Sequence, residues 1–124
     1  MPKILVVDDD RDFIKISRMI LQPKKFEVVT AANGEEGLAV ARKEKPDVVI
    51  LDVMMSYILD GLDMRRQMAA DPELKGIPVI MVTSLTGERM QGNMPSDEYV
   101  PESAWLHKPI DPDKLLEEVG KALR

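Results

Sequence analysis

The sequence predicts an α/β protein, a doubly wound parallel sheet of five strands with helices packed on both of its faces. Short apolar runs rich in branched residues alternate with helix-like segments along the whole chain, and five such pairs can be counted. The 124 residues, 44% of them hydrophobic, are about the size of one compact domain, which can bury a core without disulfides.

The five apolar runs are the predicted strands. Two of them, VVIL and VIMV, are continuously apolar, as expected for strands that are buried on both faces of a sheet. Branched side chains also favour a strand over a helix in such short runs. The predicted strands comprise residues 4–7, 26–30, 48–51, 79–82 and 104–106.

Start and stop signals place four helices along the chain. Asp10 stands at the N-cap position of the first helix, residues 11–21, and Asn33 stands at that of the second. The third helix begins near residue 60. The last follows Asp111 as its cap, with a proline at the first helical position and an apolar stripe along one face.

The stretch between the fourth and fifth strands lacks such signals. Residues 85–103 contain Gly87, Gly92, Pro95 and Pro101, and no apolar period runs through them. Each glycine costs a helix about 1 kcal/mol relative to alanine, and an interior proline costs about 3 kcal/mol. The sequence therefore predicts an irregular or shortened helix at this position of the fold.

Composition excludes several classes of function. The chain has 17 Lys and Arg against 22 Asp and Glu, a formal net charge of -5, which argues against direct binding to nucleic acid. It contains no cysteine and one histidine, so thiol chemistry and Cys or His metal centres are excluded. No leader is expected, and no apolar stretch approaches the roughly 18 residues of a membrane span, which predicts a cytoplasmic protein without membrane contact.

Polar residues follow four of the five predicted strands. Asp8 and Asp9 follow the first strand, Asp52 the third, Thr83 the fourth and Lys108 the fifth. Because ligands of open α/β sheets bind at the carboxyl ends of the strands, we expect these residues to gather at one edge.

Three carboxylates held close together repel one another unless a cation lies between them. Oxygen ligands without histidine or cysteine favour a hard divalent ion such as Mg2+. A lysine and a hydroxyl at the same edge suit a phosphoryl group, and a carboxylate can itself accept that group as an aspartyl phosphate.

Five stretches together carry a resemblance to a known family: "ILVVDDD", "PDVVILDVMM", "DG", "PVIMVTS" and "KPID", in this order. With them the chain resembles the receiver domain of two-component response regulators, in the manner of the stand-alone chemotaxis regulators. The resemblance covers essentially the whole chain, so that residues 1–124 are expected to form one receiver domain. It implies a flavodoxin-like fold with the strand order 2-1-3-4-5.

The resemblance also implies roles for the acidic residues. Asp52 is similar to the phosphoacceptor of the family, while Asp8 and Asp9 are similar to the acidic pair that holds Mg2+. Asp52 and the backbone carbonyl of Met54 complete the implied metal ligands. One position departs from the family, since Ser56 stands where a proline is common, four residues after the phosphoacceptor.

Two further residues match the family's switching machinery. Thr83 is similar to its switch hydroxyl, and Lys108 to the lysine that contacts the phosphoryl group. The implied partners are a histidine kinase or phosphotransfer protein as donor and a downstream protein as target. The implied chemistry is gain and loss of the protein's own phosphoryl group, so the chain is not expected to be an enzyme with an external product.

Two other classes of protein share part of this residue pattern. A haloacid-dehalogenase-type phosphatase also uses an aspartyl nucleophile and Mg2+, but it needs a second aspartate two residues later, where this chain has Met54. A pseudo-receiver, an interaction module that works without phosphorylation, remains the alternative because of the altered segment 85–103. Asp10 is expected to cap a helix rather than to bind the metal.

The irregular segment leads to a first testable prediction. Amides of residues 87–102 should exchange with solvent far faster than those of the predicted helices, because no continuous helix protects them. The exchange should slow when Asp52 is phosphorylated or a partner protein is added. Hydrogen exchange of the free, unphosphorylated protein measures this directly. Uniform strong protection across the segment would contradict the prediction.

Overall fold

A computed structural model of the chain describes residues 2–52, 60–83, 105–107 and 111–123. The predicted α/β class is confirmed, since helices alternate with parallel strands along these residues. The predicted strand order is confirmed as 2-1-3-4 for the first four strands, whose ends lie within one residue of the predicted ones. These strands are β1 (Lys3–Val7), β2 (Glu27–Ala31), β3 (Val48–Asp52) and β4 (Val79–Thr83).

A three-residue strand, β5 (Trp105–His107), pairs in parallel with β4 at the edge of the sheet. The segment 85–103, predicted to be irregular, lies outside the described residues, and so does Ser56.

Four helices begin where the sequence signals predicted. Asp10 caps the first and Asp111 the last, because the Oδ1 atom of each accepts a hydrogen bond from the backbone N–H two residues later, at 2.9 Å and 3.0 Å. Asn33 caps the second through a 2.8 Å bond from the N–H of Glu36. The helices are α1 (Arg11–Leu21), α2 (Gly34–Glu44), α3 (Asp60–Ala70) and α4 (Pro112–Ala122).

The sheet divides the core into two layers. Successive side chains of a strand point to opposite faces, so Leu5 and Val7 of β1 pack on one side while Ile4 and Val6 pack on the other. The first layer includes residues of α2 and α3, and the second includes residues of α1 and α4. The helices therefore cover both faces of the sheet, as a doubly wound fold requires. Among the described residues, no helix is long and apolar enough to span a membrane.

Ion pairs around Lys3 stabilise the amino edge of the sheet, the end at which the parallel strands begin. Its Nζ lies 3.0 Å from Glu44 Oε1 on α2 and 3.5 Å from Glu27 Oε2 on β2. The hydrogen bond between Lys3 and Glu44 holds the pKa of Lys3 above its ordinary value and lowers the pKa of the Glu44 carboxyl. The positive charge of Lys3 is thus paired with the negative charges of Glu44 and Glu27.

Helix α2 approaches the sheet closely at Gly37. A Cβ atom at this position would lie 2.8 Å from Met64 Sδ on α3 and 3.0 Å from Val7 Cγ2 on β1. Both neighbours are buried, Met64 at 1% and Val7 at 0% exposure, so an added methyl group would have to displace core side chains. An alanine at position 37 would therefore overpack this part of the core.

A pair of glycine substitutions tests this packing. Gly37→Ala should lower the free energy of unfolding by about 1 kcal/mol, because overpacking of about 1 to 3 kcal/mol outweighs the gain in helix propensity of about 1 kcal/mol. Gly120→Ala is the matched control in α4, where a Cβ would meet no atom within 4 Å. It should be neutral or stabilising by up to about 1 kcal/mol. Urea unfolding of both variants measures the two effects, and stabilisation by Gly37→Ala would contradict the packing argument.

Candidate functional site

Adjacent parallel strands bring three aspartates together at the carboxyl edge of the sheet. Val7 of β1 pairs with Leu51 of β3, so the next residues of the two strands, Asp8 and Asp52, emerge side by side. Asp9 follows directly. One carboxylate oxygen from each of Asp8, Asp9 and Asp52 lies within 4.8 Å of the other two. The predicted clustering of these three side chains is present in the structure.

The three aspartates differ in their exposure. Asp8 is 0% and Asp52 2% exposed, whereas Asp9 is exposed to solvent. Burial of a carboxylate is unfavourable unless hydrogen bonds or a cation compensate for the lost hydration. The cluster therefore combines two buried carboxylates with one that is exposed to solvent. Oxygen-only ligands at this spacing can hold a hard divalent cation.

Asp8 is held in place through its backbone and its side chain. Its N–H donates to the carbonyl oxygen of Ala31, at the end of β2, at 3.0 Å. Its Oδ1 accepts a 2.9 Å hydrogen bond from the N–H of Asp10. Backbone groups of the fold thus contribute to the orientation of the Asp8 carboxylate.

The bond between Asp8 and Asp10 was missed by the sequence reasoning, which assigned Asp10 only to the helix cap. The cap is confirmed, but the N–H of the same residue also contacts a residue of the acidic cluster. The signal was available in the sequence, because an aspartate side chain commonly accepts from the backbone two residues on.

The other predicted site residues are only partly described. Asp52 pairs with Val82 of β4, so Thr83 stands one residue further along at the same edge, and the side chain of Thr83 lies outside the described residues. Lys108 and Met54 also lie outside them. The roles implied for these three residues therefore stay predictions.

Comparison with known proteins identifies the family. Residues 4–120 match the family described as the response regulator receiver domain. This chain belongs to the response regulator receiver domain family. The buried aspartate at the end of β3 and the acidic pair after β1 are thus part of a receiver domain.

Individual relatives agree with this assignment. The chain is 36% identical to the protein PilH of Pseudomonas aeruginosa over 126 residues, which cover 99% of this chain and 98% of PilH. It is 37% identical over 124 residues to the response regulator PleD of Caulobacter vibrioides, covering 98% of this chain but 26% of PleD.

Solved structures agree as well. The chemotaxis response regulator CheY4 of Vibrio cholerae is 31% identical, with a TM-score of 0.81 and 99% of each chain covered. A response regulator from Chloroflexus aurantiacus is 29% identical, with a TM-score of 0.82 and coverage of 99% of this chain and 98% of that one. As a receiver domain, the protein belongs to two-component signalling, in which such domains interact with kinases or phosphotransfer proteins and with downstream targets.

Proposed function

We propose that this receiver domain is a switch operated by phosphorylation of Asp52, with a histidine kinase or phosphotransfer protein as the phosphoryl donor. The observation that carries the proposal is the burial of Asp52 beside Asp8 and Asp9, with one oxygen of each carboxylate within 4.8 Å of the others. Like charges at this distance favour a cation, and a cation favours a phosphoryl group at the same place.

The proposed metal is Mg2+, held by the carboxylates of Asp8, Asp9 and Asp52 and by the backbone carbonyl of Met54. The donor set fits this ion, because Mg2+ prefers carboxylate and carbonyl oxygens and keeps several waters in its shell. When bound, Mg2+ supplies positive charge that offsets the charges of the carboxylates and the phosphoryl oxygens.

The phosphoryl transfer is proposed to proceed by direct attack. A carboxylate oxygen of Asp52 forms a bond to phosphorus while the bond from phosphorus to the donor's histidine nitrogen breaks. The leaving imidazole retains the electron pair of that bond and takes up a proton. The burial of Asp52 limits access of water to the acyl phosphate, and later attack of water regenerates the carboxylate and releases phosphate.

The remaining residues are assigned to reading the phosphoryl group. Thr83, at the end of β4, is proposed to donate its hydroxyl to a phosphoryl oxygen, and Lys108 is proposed to neutralise its charge. These contacts would bias a two-state equilibrium of the domain and so alter its affinity for a downstream protein. The protein then acts on no external substrate.

The extent of the domain, its complete strand order and its location in the cell are proposed from the same family assignment. We propose that residues 1–124 form one receiver domain with the complete strand order 2-1-3-4-5 and an irregular helix before the last strand. We further propose a cytoplasmic location without direct nucleic-acid or membrane contact, in keeping with the net charge of -5.

Phosphorylation of Asp52 is tested with acetyl phosphate as a small donor. Intact-mass spectra should show one phosphate adduct that depends on Mg2+, because the metal offsets the clustered negative charge. Asp52→Asn should lose the adduct, since an amide oxygen cannot form the acyl phosphate. Asp47→Asn, which changes an exposed aspartate just before the other end of β3, is the control and should retain it. An adduct on Asp52→Asn would show that the assignment is wrong.

Metal binding is tested by thermal unfolding without phosphodonor. Mg2+ at 100 times its Kd should stabilise the native protein by about 2.7 kcal/mol, because a ligand of the folded state shifts unfolding by mass action. Asp9→Ala should abolish most of this shift, whereas Glu73→Ala, an exposed acidic residue before β4, should leave it unchanged. A melting temperature indifferent to both Mg2+ and Asp9→Ala would favour the pseudo-receiver alternative.

A further inference from the structure

Asp10, the third of the consecutive aspartates, connects the acidic cluster to helix α1. Its backbone N–H donates to Asp8 Oδ1 at 2.9 Å. Its own Oδ1 accepts hydrogen bonds from the N–H groups of Asp12 at 2.9 Å and Phe13 at 3.4 Å. The backbone of Asp10 therefore holds the carboxylate of Asp8, while the side chain of Asp10 holds the first turn of α1.

Helix α1 is a fixed support for these hydrogen bonds. Phe13, 5% exposed, packs in the core layer between α1, α4 and the sheet. Ile14, in the first turn, donates its N–H to the carbonyl oxygen of Asp10 at 3.1 Å. Asp10 is thus bonded to α1 on one side, and on the other side the N–H of Asp8 is bonded to Ala31 of β2.

We propose that Asp10 is a positioning residue for the metal ligand Asp8. The N-cap made by its side chain fixes its backbone N–H, and that N–H fixes the orientation of the Asp8 carboxylate. This inference rests on the proposed function, because it takes Asp8 as a ligand of Mg2+. A ligand held in its binding orientation by the surrounding structure loses less freedom when the ion binds.

The test compares two substitutions that separate position from charge. Asp10→Ala removes the cap and the carboxylate, whereas Asp10→Asn removes the charge but keeps an oxygen that caps equally well. Mg2+ affinity of the unphosphorylated protein, measured by calorimetric titration, should fall about tenfold in Asp10→Ala, as when partners behind metal ligands are lost. Asp10→Asn should stay within about threefold of the native protein, because it keeps the capping oxygen and because an exposed charge interacts only weakly through water.

Asp111→Ala is the matched control. Asp111 caps α4 with a 3.0 Å bond of the same kind, but the residue two positions before it is Pro109, which carries no carboxylate. The Asp111→Ala variant should bind Mg2+ with the affinity of the native protein, although it loses a helix cap just as Asp10→Ala does. Asp10→Gly is a second variant for the case that Asp10→Ala folds poorly, since N-caps tolerate glycine better than alanine. It should also bind Mg2+ about tenfold more weakly.

The outcomes separate this inference from the proposed function. If Asp10→Asn binds Mg2+ as weakly as Asp10→Ala, the carboxylate of Asp10 acts by its charge and the positioning role is overturned. Native affinity in both Asp10→Ala and Asp10→Gly, or an equal loss in Asp111→Ala, also overturns it. Failure of the native protein to bind Mg2+ would instead overturn the proposed function, and the inference with it.

Discussion

Strand pairing holds the buried carboxylates of Asp8 and Asp52 side by side, at the ends of two adjacent parallel strands, against their mutual repulsion. Two carboxylates without full hydration oppose folding, and the third carboxylate nearby adds repulsion. Their position is imposed by the register of β1 and β3, which places Val7 opposite Leu51. The apolar core on both faces of the sheet outweighs this local cost and keeps the carboxylates together.

The amino and carboxyl edges of the sheet differ in the charges that they bring together. At the amino edge, Lys3 contacts Glu44 and Glu27, so opposite charges meet within the protein. At the carboxyl edge, three carboxylates lie close together, and Asp8 is bonded to the backbone N–H of Asp10 and the backbone carbonyl of Ala31. The three clustered carboxylates of the carboxyl edge could also hold a cation. Opposite charges thus meet at one end of the sheet, and the acidic cluster that we propose as the phosphorylation site lies at the other.

Much of the fold could be predicted from local patterns. The starts of α1, α2 and α4 follow from Asp10, Asn33 and Asp111, because an N-cap needs only the backbone N–H groups of the next two or three residues. The strands could be predicted because short runs of branched apolar residues are themselves a local pattern. The strand order came from the resemblance to receiver domains, since no local pattern states which strands are neighbours. The close contacts of Gly37 were not predicted, because Met64 and Val7 are distant from it in the chain.

For the site, local sequence patterns were enough to identify the residues at the strand ends and to show that their chemistry suits an oxygen-bound cation and a phosphoryl group. The folded arrangement was needed to show that one oxygen from each of Asp8, Asp9 and Asp52 lies within 4.8 Å of the others. It also decided that Asp8 and Asp52 are buried while Asp9 is exposed, although the three are chemically identical. Distance and burial depend on strand pairing and helix packing, which bring together residues that are far apart in the chain. Helix caps and strand ends depend only on residues that are adjacent in sequence.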